Sequence, residues 1–118
     1  MTGLHQPMID HQAPERIHDL MGELKDSFVR IYSQRLMGVY LYGSYARGEE
    51  EMGSDVDVLI VLDRIDSYAA EIDRTGEIAS DLSLKYGLSI SRVFVDRENW
   101  QEGDTPFLRR VQQEAIEI

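Results

Sequence analysis

Cysteine is absent from this 118-residue chain, which rules out disulfides and thiolate metal sites. Basic residues are scarce. Twelve Lys and Arg stand against 22 Asp and Glu, for a net charge of −10. A general nucleic-acid binder relies on a basic footprint, so direct nucleic-acid binding is not expected. No stretch approaches the ~18 consecutive apolar residues of a membrane span. The opening MTGLHQPMIDHQ has no basic-then-apolar export pattern. The expected location is therefore the cytoplasm, away from membrane. The length suits one core, which serves about 100–150 residues, and leaves no room for a separate acceptor-binding domain.

What is present reads as a small α/β chain in the order α-β-α-β-α-β-α. Residues 1–13 are polar and predict a flexible N-terminal arm, with a single domain over 14–118. His5, His11 and His18 read as two tail residues and one surface histidine, not a metal site. Pro14 suits a helix start. Ile17, Leu20, Met21, Leu24, Phe28, Ile31 and Tyr32 then recur at helical spacing. Val39–Tyr42 predicts a buried strand and Ser44–Glu51 a helix of one or two turns. Val56–Leu62, with the preceding Asp55, is apolar on both faces except at Asp55 and Asp57, as a central strand would be. A long helix over 68–86 follows, capped by Asp66-Ser67, closed at Gly87 and open to a kink at Gly76. Leu82 and Leu84 are among its apolar positions. Leu88–Val95 predicts a third strand. A loop around Trp100 then leads to a last helix from Pro106 carrying Phe107, Leu108, Val111, Ala115 and Ile116.

One segment does not fit a plain core: Gly43-Ser44-Tyr45-Ala46-Arg47-Gly48-Glu49-Glu50-Glu51-Met52-Gly53-Ser54-Asp55-Val56-Asp57. Arg47 faces five carboxylates there, a local net of −4. Asp55 and Asp57 are two apart on a strand, so both carboxylates leave the same face, with Cα atoms about 6.5–7 Å apart. Like charges so close repel unless a cation lies between them. Hard oxygen donors suit Mg²⁺, which completes its shell with water and substrate phosphate. Gly43 lets a phosphate approach the backbone, Ser44 opens a helix whose free N–H groups favour an anion, and Arg47 adds a charge-assisted bond. A phosphate cradle and a metal clamp on one segment imply a nucleoside triphosphate with Mg²⁺. For both to meet, the first two strands must run antiparallel.

GSYARGEEEMGSDVDVLIV resembles the signature of the minimal nucleotidyltransferases of the DNA polymerase β-like superfamily: GS, ten residues, then DxD and an apolar strand. The specific motif covers 43–62, and the element order extends over 14–118. The resemblance implies a small mixed sheet of three to four strands with helices packed on it. It implies that Gly43 and Ser44 hold the triphosphate of ATP, with Ser44, Asp55 and Asp57 as the catalytic set. Asp55 and Asp57 would bind two Mg²⁺ ions. The implied reaction moves a nucleoside monophosphate to a hydroxyl. Among such proteins the chain resembles the antitoxin half of HEPN/MNT toxin–antitoxin pairs, which implies a HEPN ribonuclease toxin as partner and one of its tyrosines as acceptor. A hetero- or homo-oligomer is expected. Many members carry a third carboxylate early in the next parallel strand. Here those positions are Ser89, Ile90 and Ser91, and Asp96 falls at the far end. That departure leaves a non-catalytic, binding-only antitoxin as one alternative and a small-molecule nucleotidyltransferase as another.

Other residues have plainer readings. Tyr40 and Tyr42 alternate onto one face as packing. Tyr45 either stacks on a base or covers its helix. Arg109-Arg110 read as an exposed helical face. Trp100, Pro106 and Phe107 form either a lid over the sheet or a patch for a partner.

Overall fold

The computed structural model describes the backbone from residue 5 to 118 and side chains from residue 16 onward. The arm expected over 1–13 falls partly outside these residues, as do the side chains of His5 and His11. Helix α1 spans His5–Tyr32, so it begins upstream of Pro14, where the sequence places its start. A single 3₁₀ turn, Ser33–Arg35, leads into strand β1, Leu36–Tyr42. Then come α2 (Ser44–Arg47), β2 (Val56–Leu62), α3 (Tyr68–Tyr86), β3 (Ile90–Asp96), α4 (Arg97–Glu102), α5 (Pro106–Glu114) and β4 (Ile116–Glu117).

The four strands form one mixed sheet in the order β3-β2-β1-β4. β1 runs antiparallel to both β2 and β4, and β2 runs parallel to β3. The parallel step needs a crossover, and α3 provides it without a break at Gly76. Ser67 caps α3, its hydroxyl accepting from Ala70 N at 3.3 Å.

Two apolar layers sandwich the sheet. On one face Leu20, Leu24 and Phe28 of α1 and Leu82 of α3 cluster with Val39, Val58, Ile60, Leu62 and Phe94. Each fully buried side chain of this size contributes about 1.5–3 kcal/mol. On the other face Leu108 and Val111 of α5 cover Tyr42, Leu59, Val61 and Val95. Trp100 stacks on Tyr40 at 4.7 Å between ring centres, and Phe107 meets Tyr42 edge-on at 5.7 Å. These aromatics are the lid over the sheet. β2 is therefore buried on both sides, and Asp57 is its one residue not fully covered.

Three further features depart from expectation. The segment around Trp100 is the helix α4, whose first turn is capped by Asp96 accepting from Asn99 N at 2.8 Å. The last helix stops at Glu114, and Ile116–Glu117 pairs with β1 as a fourth strand. Leu84, expected in the core, is 81% exposed. It lies two residues beyond Leu82, about 200° around the helix.

Candidate active site

The site forms where β1 ends and β2 begins. Tyr42 pairs with Asp57 across the antiparallel ladder, so the Gly43-Ser44 turn and the DxD pair meet at one end of the sheet. The antiparallel arrangement that the motif requires is the one observed. Asp57 shares its face of the sheet with Leu59 and Val61, beneath α5. Asp55, just before the strand, is exposed.

Gly43 has φ +78° and ψ −157°, a region essentially closed to residues with a side chain. A Cβ there would overlap the Asp57 carboxylate oxygen and stand 3.1 Å from its Cγ. The glycine therefore serves two purposes: it permits the turn, and it leaves space for Asp57. Gly43→Ala is expected to cost about 1–3 kcal/mol from backbone strain alone and to displace Asp57. A thermal melt and a Mg²⁺ titration check this; an unchanged melting temperature with unchanged Mg²⁺ binding would refute it.

α2 is a single turn, Ser44–Arg47, shorter than the stretch to Glu51 that the sequence suggests. So short a helix has little dipole to offer an anion. The positive groups that remain are the Gly43 amide and Arg47, and one carboxylate engages both. Glu114, the last residue of α5, accepts from Gly43 N at 2.6 Å and from Arg47 Nη1 at 3.0 Å through the same oxygen, Oε2. Arg47 also donates to Glu49 at 2.9 Å. Sequence reasoning missed Glu114. The signal was an acid three residues beyond Val111, on the core-facing side of an amphipathic helix.

Burial raises the pKa of Asp57 above the usual carboxylate range, and the negative charges of Asp55 and Glu114 raise it further against the opposing pull of Arg47. An anion held under such repulsion is a group that a cation would relieve. Asp55 and Asp57 are hard oxygen donors of the kind Mg²⁺ takes, so the residues fit that metal. Among the described residues, no group of three or more His, Asp or Glu stands together as a metal cage. The carboxylate pair is the candidate clamp.

Ser91 pairs with Asp57, whereas Ser89 accepts from Val56 N through its carbonyl. Asp96 pairs with Leu62 at the far end of the strand, as expected from the sequence. Ser91→Asp should therefore set a carboxylate beside Asp57, about 4.8 Å away between Cα atoms. The expected results are tighter Mg²⁺ binding, lower metal-free stability and, if it also acts as a base, about 10²-fold faster transfer. Ser89→Asp, at an exposed position before the strand, should have the smaller effects, and effects equal to those of Ser91→Asp would refute the register.

The remaining candidates fall elsewhere. Tyr45 packs with the α1 layer and lines a cleft with Met21, Leu41 and Ile118, so it covers its helix. Arg109 and Arg110 are exposed on α5, and Arg109 stands 3.9 Å from Asp104. His18 is exposed on α1.

Several known proteins are similar to this chain. The nucleotidyltransferase domain family matches residues 21–114. A protein of Methanocaldococcus jannaschii provisionally named a protein adenylyltransferase is 33% identical over 102 residues, covering 86% of this chain and 98% of its own. A second protein of the same organism and provisional name is 36% identical over 67 residues, covering 57% of this chain and 61% of its own. Among solved structures, a chain of a toxin–antitoxin crystal structure with AMP-PNP superposes with a TM-score of 0.55 at 19% identity, over 87% of this chain and 69% of that one. A chain of the MntA–HpeT toxin–antitoxin, in a variant with two aspartates two residues apart changed to glutamate, gives 0.53 at 17% identity, over 80% and 70%. These last two establish likeness of fold. With its motif, its sheet and its relatives in agreement, the chain belongs to the nucleotidyltransferase domain family.

Proposed function

We propose that this chain is a Mg²⁺-dependent adenylyltransferase that moves AMP from ATP to a tyrosine hydroxyl of a HEPN ribonuclease toxin, acting as its antitoxin. One observation carries the reading. A backbone donor at Gly43, a guanidinium at Arg47 and the Asp55–Asp57 pair converge at one end of the β1–β2 ladder. That donor set matches a triphosphate and its cation. The names of the Methanocaldococcus relatives support adenylyl transfer to protein. The structural neighbours, one a toxin–antitoxin crystallised with AMP-PNP and the other MntA–HpeT, support a nucleotide and a toxin partner.

Gly43 and Arg47 would bind phosphate oxygens, with Ser44 beginning the same turn. Asp55 and Asp57 would hold the metal, which supplies charge neutralisation on the triphosphate. The acceptor hydroxyl oxygen attacks the α-phosphorus, its proton passes to solvent, the bond to the α–β bridging oxygen breaks, and pyrophosphate leaves. Exposure of Asp55 and of Glu51, Met52 and Gly53 in the α2–β2 loop leaves the site open to an acceptor as large as a protein. ATP as donor suits a cytoplasmic reaction, and among the described residues no helix is long and apolar enough to cross a membrane.

The test incubates the chain with Mg²⁺, its toxin partner and ATP labelled at either the α- or the γ-phosphate. α-label retained on a toxin tyrosine, with γ-label lost, is the expected result. Tight complex formation without label transfer would replace this reading with the binding-only antitoxin.

A further inference from the structure

Glu114 carries a charge on the buried side of α5, and its side chain is 14% exposed. A carboxylate in such a place costs several kcal/mol unless it is paired. Its partners are Gly43 N and Arg47 Nη1, both on Oε2. These are the two donors that a phosphate oxygen would need, so the carboxylate sits as a bound oxyanion would. The backbone at this point is held on both sides. Val111 is fully buried and accepts from Ala115 N at 2.7 Å, while Ile116 and Glu117 pair with Leu41 and Tyr40. The helix end cannot withdraw cheaply, but the side chain can rotate. Nor does Glu114 join Asp55 and Asp57 in a three-acid metal cage.

We propose that Glu114 is an internal anion that occupies the phosphate cradle and must be swung out by an incoming triphosphate, so that the site rejects metal-free polyphosphate and admits the cation-loaded form. An uncompensated polyphosphate would have to displace Glu114 and then lie beside three carboxylates. A cation carried in with it offsets that repulsion. The ligand's identity as a nucleotide rests on the function proposed above; occupancy of the cradle by Glu114 does not.

The test measures binding of inorganic tripolyphosphate in EDTA, and of ATP with Mg²⁺, to the parent, Glu114→Ala and Glu114→Gln. Thermal melts check that each is folded, and Glu114→Gln keeps the side-chain volume should the alanine variant fail to fold. Tripolyphosphate should bind the variants about 10-fold or more tightly than the parent, the effect of releasing one charged hydrogen bond. Adding Arg47→Met should abolish the gain. ATP with Mg²⁺ should gain less than tripolyphosphate does, because its cation already offsets the carboxylate's repulsion and only the displaced bonds are recovered. Tripolyphosphate binding unchanged or weakened in the folded variants overturns the inference. So does a selective loss of Mg²⁺–ATP binding, which would make Glu114 a metal ligand. If the tripolyphosphate gain holds while no form binds ATP, the internal anion stands and the nucleotide reading fails.

Discussion

Asp57→Asn is expected to lower nucleotidyl transfer by about 10³-fold or more, since loss of the metal's charge stabilisation is worth several kcal/mol. The same variant should melt at a higher temperature than the parent when no metal is present. Asp57 is a partly buried anion facing Asp55 and Glu114, and asparagine removes that repulsion while keeping the shape. Adding Mg²⁺ and ATP should reverse the order. A ligand at 100 times its Kd stabilises by about 2.7 kcal/mol, which the parent gains and Asp57→Asn largely forgoes. Asp55→Asn, at an exposed position, should lose transfer with little change in metal-free stability. Melting curves with and without Mg²⁺–ATP, beside a transfer assay, check all of this. A variant that keeps its activity, or melts below the parent without metal, would mean that Asp57 is not the repelled anion described.

The second large effect concerns stability, on the opposite edge of the molecule's chemistry. Glu71 of α3 is 3% exposed. It accepts from the Tyr32 hydroxyl at 2.8 Å, from Arg74 Nε at 3.1 Å and from Arg35 Nη2 at 3.3 Å. Glu71→Ala strips a buried hydroxyl and two half-exposed guanidinium groups of their acceptor. The expected cost is about 3 kcal/mol, below the full cost of breaking a wholly buried pair because both arginines reach water. That corresponds to a fall of roughly 10–15 °C in melting temperature. Glu71→Gln should recover part of it, since an amide oxygen still accepts from Tyr32. Burial by itself would raise the Glu71 pKa, but the bonds from Tyr32, Arg74 and Arg35 outweigh it and hold the group below its ordinary value. Its contribution is therefore complete above the unfolded carboxylate pKa of about 4.3 and is lost as pH falls through the lower folded value. Glu71→Ala should accordingly show a shallower loss of stability on acidification. Parallel acid titration curves for parent and variant would exclude this role.

The features legible in the sequence were those that depend on neighbours in the chain. The α1 stripe of Leu20, Leu24 and Phe28 follows from helical period, and the unbroken apolar run of Val56–Leu62 marks a central strand. The Ser67 cap and the spacing of Gly43 to Asp57 are local as well. The spacing even fixed the sense of the β1–β2 pair, because the cradle and the clamp can share one substrate only if those strands run antiparallel. Asp96 lies at the far end of β3 from the site, as the rise per residue along a strand parallel to β2 requires.

Tertiary structure alone decided the rest. Ile116–Glu117 has no periodic signal at two residues, and it is a strand only because the outer edge of β1 offers it a partner. Leu84 has the composition of a core residue, yet α3 turns it to water because the sheet lies on the Leu82 side. Most consequential is Glu114, 71 residues from Gly43 in the chain and 2.6 Å from it in space. The motif announces its own glycine, serine and aspartates because their chemistry is local, set by spacing along one turn and one strand. The acid that engages Gly43 and Arg47 comes from a helix whose docking depends on Leu108 and Val111 burying against the sheet, and burial of that kind is a property of the assembled fold.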